Sequence, residues 1–269
     1  MDYISRYGLE YNPFIKNTRN TTVETSEYHE ITFRLNLLLQ TRGFGLLTGS
    51  PGRGKTTMVR NWSESLNDAA YKIIYVSLST ITVQDFYIQL VASLGQEPCY
   101  KKSKNFRLIQ SGIERLNVEK KMTPVIVLDE ANYLSNSVLN DLKIIFNFDM
   151  DSRDKAVVLL VGLPELRNQL ALTIHEPLRQ RITMNYNIDA LSKEEAAKYV
   201  REKMSMAGCH QEVFERSALE AILNAAGGTP RMIDKYVNAS LLLGSTLNKN
   251  IIDAETVLTA IDDATISMV

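Results

Sequence analysis

The chain is poor in the residues that build stapled or metal-held folds. Its 269 residues include two cysteines, Cys99 and Cys209, and three histidines. Two thiols exclude a disulfide scaffold, and so few sulfur and imidazole ligands exclude a zinc constellation. No apolar run approaches the roughly 20 residues of a bilayer span. The opening MDYISRYGLEYNPF lacks both the basic start and the apolar stretch of a signal peptide. An excess of one charge is missing too, since 30 Lys+Arg against 31 Asp+Glu leave a net −1. A globally basic nucleic-acid coat is therefore excluded, and any nucleic-acid contact must come from a local patch. These absences lead to the expectation of a reduced, cytoplasmic protein with no membrane span in this chain.

What is present is an ordinary core-forming composition, 45% hydrophobic and 23% charged. Short apolar runs at Phe44–Thr48, Pro124–Leu128 and Ala156–Val161, the β-branched-rich Lys72–Leu78 and, as a fifth candidate, Ile182–Ile188 are predicted strands. PVIVL and AVVLLV have no polar face, which points to a parallel sheet covered by helices on both sides. Helical spacing predicts helices over 27–40, 55–66, 83–94 and 105–116. Trp62, on the second of these, is expected to be packing, and the two thiols to be inert. After Ala190 the pattern is helical throughout, opening on Ser192-Lys-Glu-Glu195, a capping box. Further helices are predicted over 214–226, 230–243 and 253–264. The expected organisation is an N-terminal extension (1–24), an α/β core (25–190) and an all-helical part (191–269). The aromatic N-terminus, with Tyr7, Tyr11 and Phe14, is expected to pack on the core.

The strongest motif is Gly49-Ser50-Pro51-Gly52-Arg53-Gly54-Lys55-Thr56, followed by Thr57. It satisfies G-x-x-x-x-G-K-[ST] after a predicted strand and at the opening of a helix. Glycines let main-chain amides converge on phosphates, and the helix N-terminus adds positive potential. Lys55 is expected to neutralise the β- and γ-phosphates of ATP, and Thr56 to offer its hydroxyl to Mg²⁺. Val125-Ile-Val-Leu-Asp129-Glu130 supplies the acids at another strand end. Asp129 is the candidate Mg²⁺ residue and Glu130 the candidate base for water. P-loops also serve kinases, but the adjacent Asp-Glu pair favours hydrolysis. Candidate arginines are Arg179 and Arg181 in Leu-Arg-Gln-Arg, and Arg231 in Gly-Gly-Thr-Pro-Arg.

A third motif, Val161-Gly-Leu-Pro-Glu-Leu166, lies between the acids and these arginines. Together with the opening Tyr7-Gly-Leu-Glu-Tyr-Asn-Pro-Phe14, the series resembles the AAA+ ATPases of the ExeA (general secretion protein A) type. The resemblance spans about residues 5–265. It implies a three-layer P-loop core with a parallel sheet and a C-terminal all-helical lid. It also implies that Lys55, Glu130 and Arg181 are catalytic, with Arg181 acting on a neighbouring subunit. Residues 49–57 and Arg231 would hold the nucleotide, and Thr56 and Asp129 the metal. One departure stands out: Leu163 occupies the position where the family commonly has a polar sensor residue, so either that sensor is displaced or hydrolysis is slow, and slow hydrolysis would suit a switch better than a motor.

The same core is similar to the transposition regulators TnsC, TniB, MuB and IstB, which implies assembly on duplex DNA and recruitment of a transposase. Secretion-type relatives continue into a membrane span and a cell-wall-binding region, and this chain shows neither. Charge points the same way. Residues 101–121 carry seven bases and two acids, so +5 in a chain of net −1. Lys101, Lys102, Lys104 and Arg107 are the candidate contacts to DNA phosphates, a sequence-independent mode of binding. The expectation is an ATP- and Mg²⁺-dependent homo-oligomer, ring or filament, that helps select transposition targets. The alternative is a secretion ATPase working with a membrane or cell-wall partner.

Overall fold

Strands with no polar face need cover on both sides. β1 (Gly43–Gly49), β3 (Thr123–Asp129) and β4 (Val157–Gly162) have it, since every residue of the three is buried. β2 (Tyr71–Ser77) and β5 (Ile182–Ile188) mix buried with exposed residues. The reason is position: the sheet order is β2-β3-β4-β1-β5, so these two are the edges. All four pairings are parallel. This computed structural model describes residues 3–16, 22–77, 82–149 and 152–265.

The helices are α1 (Tyr3–Arg6), α2 (Ser26–Thr41), α3 (Lys55–Ser65), α4 (Val83–Ser93), α5 (Lys102–Val118), α6 (Asn136–Ile145), α7 (Glu165–Leu170), α8 (Glu176–Arg179), α9 (Lys193–Met206), α10 (Arg216–Ala226), α11 (Pro230–Thr246) and α12 (Ala254–Ala264). Two compact units result. One comprises residues 28–51 and 55–188; the other comprises the described residues up to Glu27, 52–54, and those from Asp189 on.

In the sheet unit, alternate residues of one strand enter opposite layers, as the two-residue period requires. Ile126, Leu128, Val158 and Leu160 join Phe86, Leu90, Ile109, Ile113, Leu139 and Leu142 of α4, α5 and α6. Val125, Val127, Leu159 and Val161 join Ile31 and Leu35 of α2 and Val59 and Trp62 of α3. Trp62 is packing, as expected, and its indole N–H donates to Asn36 Oδ1 at 3.0 Å.

In the helical unit, the capping box opens α9: Glu195 N donates to Ser192 Oγ at 3.1 Å and Ser192 N to Glu195 Oε2 at 3.2 Å. Ile222, Ile233, Val237, Leu241 and Val257 bring α10, α11 and α12 onto one core. The aromatic N-terminus corrects an expectation. Tyr7, Leu9 and Phe14 are buried in this helical core rather than on the sheet unit. The Tyr7 hydroxyl donates to the Lys249 carbonyl at 3.1 Å, and Asn12 Oδ1 accepts from Phe14 N at 2.8 Å. The segment is thus anchored by both apolar burial and satisfied polar groups.

Two predictions follow from this packing. Tyr7→Ala removes a fully buried aromatic ring and should lower the unfolding free energy by about 3–5 kcal/mol, whereas Tyr7→Phe should cost about 1. Urea denaturation reads both, and equal costs for the two variants would contradict burial as the source. Asp253 caps α12 by accepting from Thr256 N, and also accepts from Lys249 Nζ at 2.6 Å. The Lys249 ammonium, with Thr256, holds its carboxyl well below the usual range. A depressed folded value gives stability that is complete above the unfolded value of about 4 and drains away below it. The stability gap between the parent and Asp253→Asn should therefore narrow as the pH falls from 7 through 4 to 2.5. A gap constant across that series would remove the ion pair as its cause.

Candidate nucleotide site

β1 delivers the chain to Gly49, and α3 begins at Lys55. Between them the backbone turns through Gly52 at φ +79° and Gly54 at φ +90°, a region that side chains disfavour. Gly52 also has no room for a side chain. A Cβ there would lie 2.9 Å from Arg231 Cβ and 3.0 Å from Thr229 Cγ2. Residues 52–54 belong to the helical unit, and Arg231 N donates to Gly52 O at 3.2 Å. Arg231, near the start of α11, is thereby held beside Gly52, with its side chain exposed.

Lys55 is 8% exposed, and its ammonium donates to the carbonyls of Gly49 at 2.6 Å and Ser50 at 3.1 Å. The cation is thus folded against the loop that carries it. The Thr56 hydroxyl donates to Asp129 Oδ2 at 2.9 Å. The two expected metal residues therefore meet, although 73 positions separate them. Asp129 is buried at the end of β3, and its other oxygen accepts from Glu130 N at 2.9 Å. Glu130 has left-handed φ 55°, which ends the strand abruptly and leaves the residue exposed next to Asp129. Thr57 follows on α3, also exposed.

Sequence reasoning missed Tyr75. Its hydroxyl donates to Asp129 Oδ2 at 2.8 Å. Burial, reinforced by the bond and charge of Asp129, pushes the phenol up to about 12. The signal was available only through register. Ser77 pairs with Asp129, and Tyr75, two residues earlier, shares its face.

Arg181 stands at the opposite end of the sheet. It precedes Ile182, which pairs with Phe44 at the start of β1, about 16 Å of strand away from Gly49 at 3.3 Å per residue. It cannot serve its own loop. Its guanidinium donates to the carbonyls of Lys143 at 2.8 Å and Phe146 at 2.9 Å, pairs with Asp154 at 3.2 Å, and lies over the Phe44 ring. Arg179 is exposed and donates from Nη1 to the Leu170 and Ala171 carbonyls.

The four candidate DNA contacts separate into two kinds. Lys101, Lys104 and Arg107 are exposed at the start of α5. Lys102 is exposed too, but pairs with Asp141 of α6 and lies 5.2 Å from the Tyr87 ring centre. Lys104, Arg107 and Arg115 follow at spacings of three and eight, which puts them on one stripe.

Comparison with known proteins agrees with this geometry. Residues 38–170 match the AAA domain family. General secretion pathway protein A of Aeromonas hydrophila is 32% identical over 245 residues, 89% of this chain and 44% of that one. The chain carries an AAA domain and is similar to the AAA+ ATPases of the ExeA type. It spans less than half the length of that relative. Among solved structures, Cdc6p of Pyrobaculum aerophilum is similar with a TM-score of 0.73 at 16% identity, over 96% of this chain and 72% of that one. The ORC1 protein of Aeropyrum pernix in complex with DNA has a TM-score of 0.67 at 12% identity, over 93% and 68%. These last two show the AAA+ fold: a parallel five-stranded sheet between helices, with a C-terminal helical part.

ATP with Mg²⁺ is the cofactor of this family, and the residues fit it. Arg53 Nε and Nη1 are enclosed without a hydrogen-bond partner among the described residues, donors suited to a phosphate chain. The loop amides and Lys55 would hold the phosphates, and Thr56 and Asp129 the metal. Among the described residues no group of three His, Cys, Asp or Glu could hold a cation unaided. Mg²⁺ would therefore complete its shell with phosphate and water, as it does in most nucleotide sites. When bound, it neutralises charge developing on the phosphates.

Arg181→Ala should lower the unfolding free energy by about 2–4 kcal/mol, because it strands two carbonyls and a carboxylate. Arg179→Ala should change it by less than about 0.5. Urea unfolding decides. A fully stable Arg181→Ala protein would mean that the residue is free for another task.

Proposed function

We propose that this AAA+ chain is a slow, switch-like ATPase whose ATP state assembles with copies of itself on duplex DNA. In this reading it acts in the cytoplasm as a target-selection helper that recruits a transposase. The stripe on α5 carries the DNA part: Lys104, Arg107 and Arg115 are exposed cations on one helix face, with Lys101 at its start. Spread over about 16 Å of helix at 1.5 Å per residue, they suit the phosphates of a duplex backbone. Lys102, committed to Asp141, contributes less. The DNA-bound ORC1 neighbour supports the pairing of this fold with DNA.

Glu130 is the proposed base for water, and Lys55 and Arg231 bear on the phosphates. A partner subunit's arginine would complete the charge. In this reading Arg181, remote from its own loop, or Arg179 acts on a neighbour's nucleotide. Arg179 is the readier of the two, because Arg181 must first release its internal contacts.

The identity to General secretion pathway protein A supports a second reading, a secretion ATPase that acts with a membrane or cell-wall partner. No helix among the described residues is long and apolar enough to cross a membrane. In that reading a partner, or another part of a longer protein, would supply the membrane contact.

DNA separates the two. Duplex DNA should cosediment with the protein in ATP and not in ADP, and the binding should weaken steeply with salt. Lys104→Glu with Arg107→Glu should weaken it by at least about tenfold without changing ATP affinity. Lys55→Ala should abolish nucleotide binding, and Glu130→Gln should hold ATP and keep the assembly on DNA. Absence of DNA binding at low salt, with ATP bound, would sink the DNA reading and leave the secretion one.

A further inference from the structure

Asn132 lies in the short turn Ala131–Tyr133 that follows Asp129 and Glu130. Its side-chain oxygen accepts a hydrogen bond from Leu163 N at 3.0 Å. Only an oxygen can accept from a main-chain N–H, so the orientation of the carboxamide is determined by chemistry. Its Nδ2, with two donors, has no hydrogen-bond partner among the described residues, and the residue is half-buried. The side chain thus crosses from the end of β3 to the end of β4.

Gly162 makes that crossing possible. Its backbone is not left-handed, so the glycine is not there for its φ. A Cβ at Gly162 would lie 2.8 Å from Asn132 Oδ1 and 3.2 Å from Asn132 N. The last residue of β4 is bare where the carboxamide rests.

Topology gives the position its meaning. β4 lies between β3 and β1 in the sheet. Gly162 pairs with Thr48, the residue before Gly49. One strand spacing, about 5 Å, separates the β4 end from the phosphate loop on one side and from the acids on the other. A phosphate chain that starts in the loop at the end of β1 and extends toward Glu130 at the end of β3 must pass over the end of β4. The donors of Asn132 are stationed there. Leu163, the next residue, offers only its main-chain N–H, and that is committed to Asn132.

We infer that Asn132 Nδ2 is a donor to the terminal phosphate of ATP, the group that ADP lacks. This rests on the ATP-switch reading above. The side chain binds the third phosphate, distinguishes the triphosphate from the diphosphate, and takes up charge as the bond to that phosphate breaks. Leu163 and Gly162 act as its support, the one by an N–H and the other by leaving space.

The test uses the full chain with Asn132→Asp and Gly162→Ala. Asn132→Asp keeps the acceptor for Leu163 N and replaces both donors by a negative charge. Gly162→Ala leaves Asn132 in the sequence but displaces its side chain. ATP and ADP affinities are measured separately with Mg²⁺ by displacement of a fluorescent nucleotide, together with turnover. Both variants should bind ADP within about twofold of the parent. Asn132→Asp should bind ATP at least about tenfold more weakly, and turnover in both should fall by about 10²-fold, the cost of one lost preorganised donor. Equal weakening of ATP and ADP, or no change in either, would overturn the inference while leaving the ATP reading intact. A parent chain that binds no ATP would overturn the ATP reading itself.

Discussion

A phosphate chain is gripped by main-chain amides only where the backbone turns tightly and bears no side chain on its inner side. The segment from Gly49 to Lys55 meets that condition, and much else in the molecule serves it. β1 is buried along its whole length between β4 and β5, so the loop leaves from an immovable strand. α3 starts at once, which points its free N–H groups back into the loop. Gly52 is doubly constrained, by its φ and by the Thr229–Arg231 segment against it. A side chain there would both strain the loop and push that segment away.

The electrostatics follow the same plan. A chain of net −1 carries local excesses of positive charge. Lys55 and Arg53 stand in the loop, and a second concentration lies on the outer face of α5. Asp129, at the carboxyl end of β3, would be costly to bury without Thr56, Tyr75 and a cation. Arg181 sits at the other end of the sheet and ties the start of β1 to the segment around Phe146 and Asp154. The phosphate-binding loop motif and Arg181 therefore lie at opposite ends of the strands. That division suits chemistry completed by a neighbour.

Much of this is legible in the amino-acid sequence. All five strands are legible: β1, β3 and β4 as apolar runs, the mark of strands buried on both faces, and the edge strands β2 and β5 as mixed runs, β5 to the residue. The P-loop and Asp129-Glu130 were found because each is contiguous. α6 was passed over, although Val138, Leu139, Leu142 and Ile145 have helical spacing and Ser135 caps the start. Polar residues between them and the brevity of α7 and α8 diluted the signal. Tyr75 and Asn132 could not be found, since neither belongs to a motif. Tyr75 depends on which residue of β2 pairs with Asp129, and Asn132 on a space left by Gly162.

The sequence by itself determined the local chemistry: a glycine-rich turn ahead of a helix, a paired acid at the end of a buried strand, a capped helical part, a basic stretch. Those are properties of neighbours in the chain, and they survive without knowledge of anything distant. Tertiary structure alone decided which of them share a surface. It brought Thr56 to Asp129, set Asn132 across β4, buried Phe14 in the helical unit, turned Lys102 toward Asp141 and fastened Arg181 inside its own subunit. The physical reason is that side-chain bonds act over about 3 Å. Whether two residues come that close depends on strand order and register, which no single stretch of sequence contains.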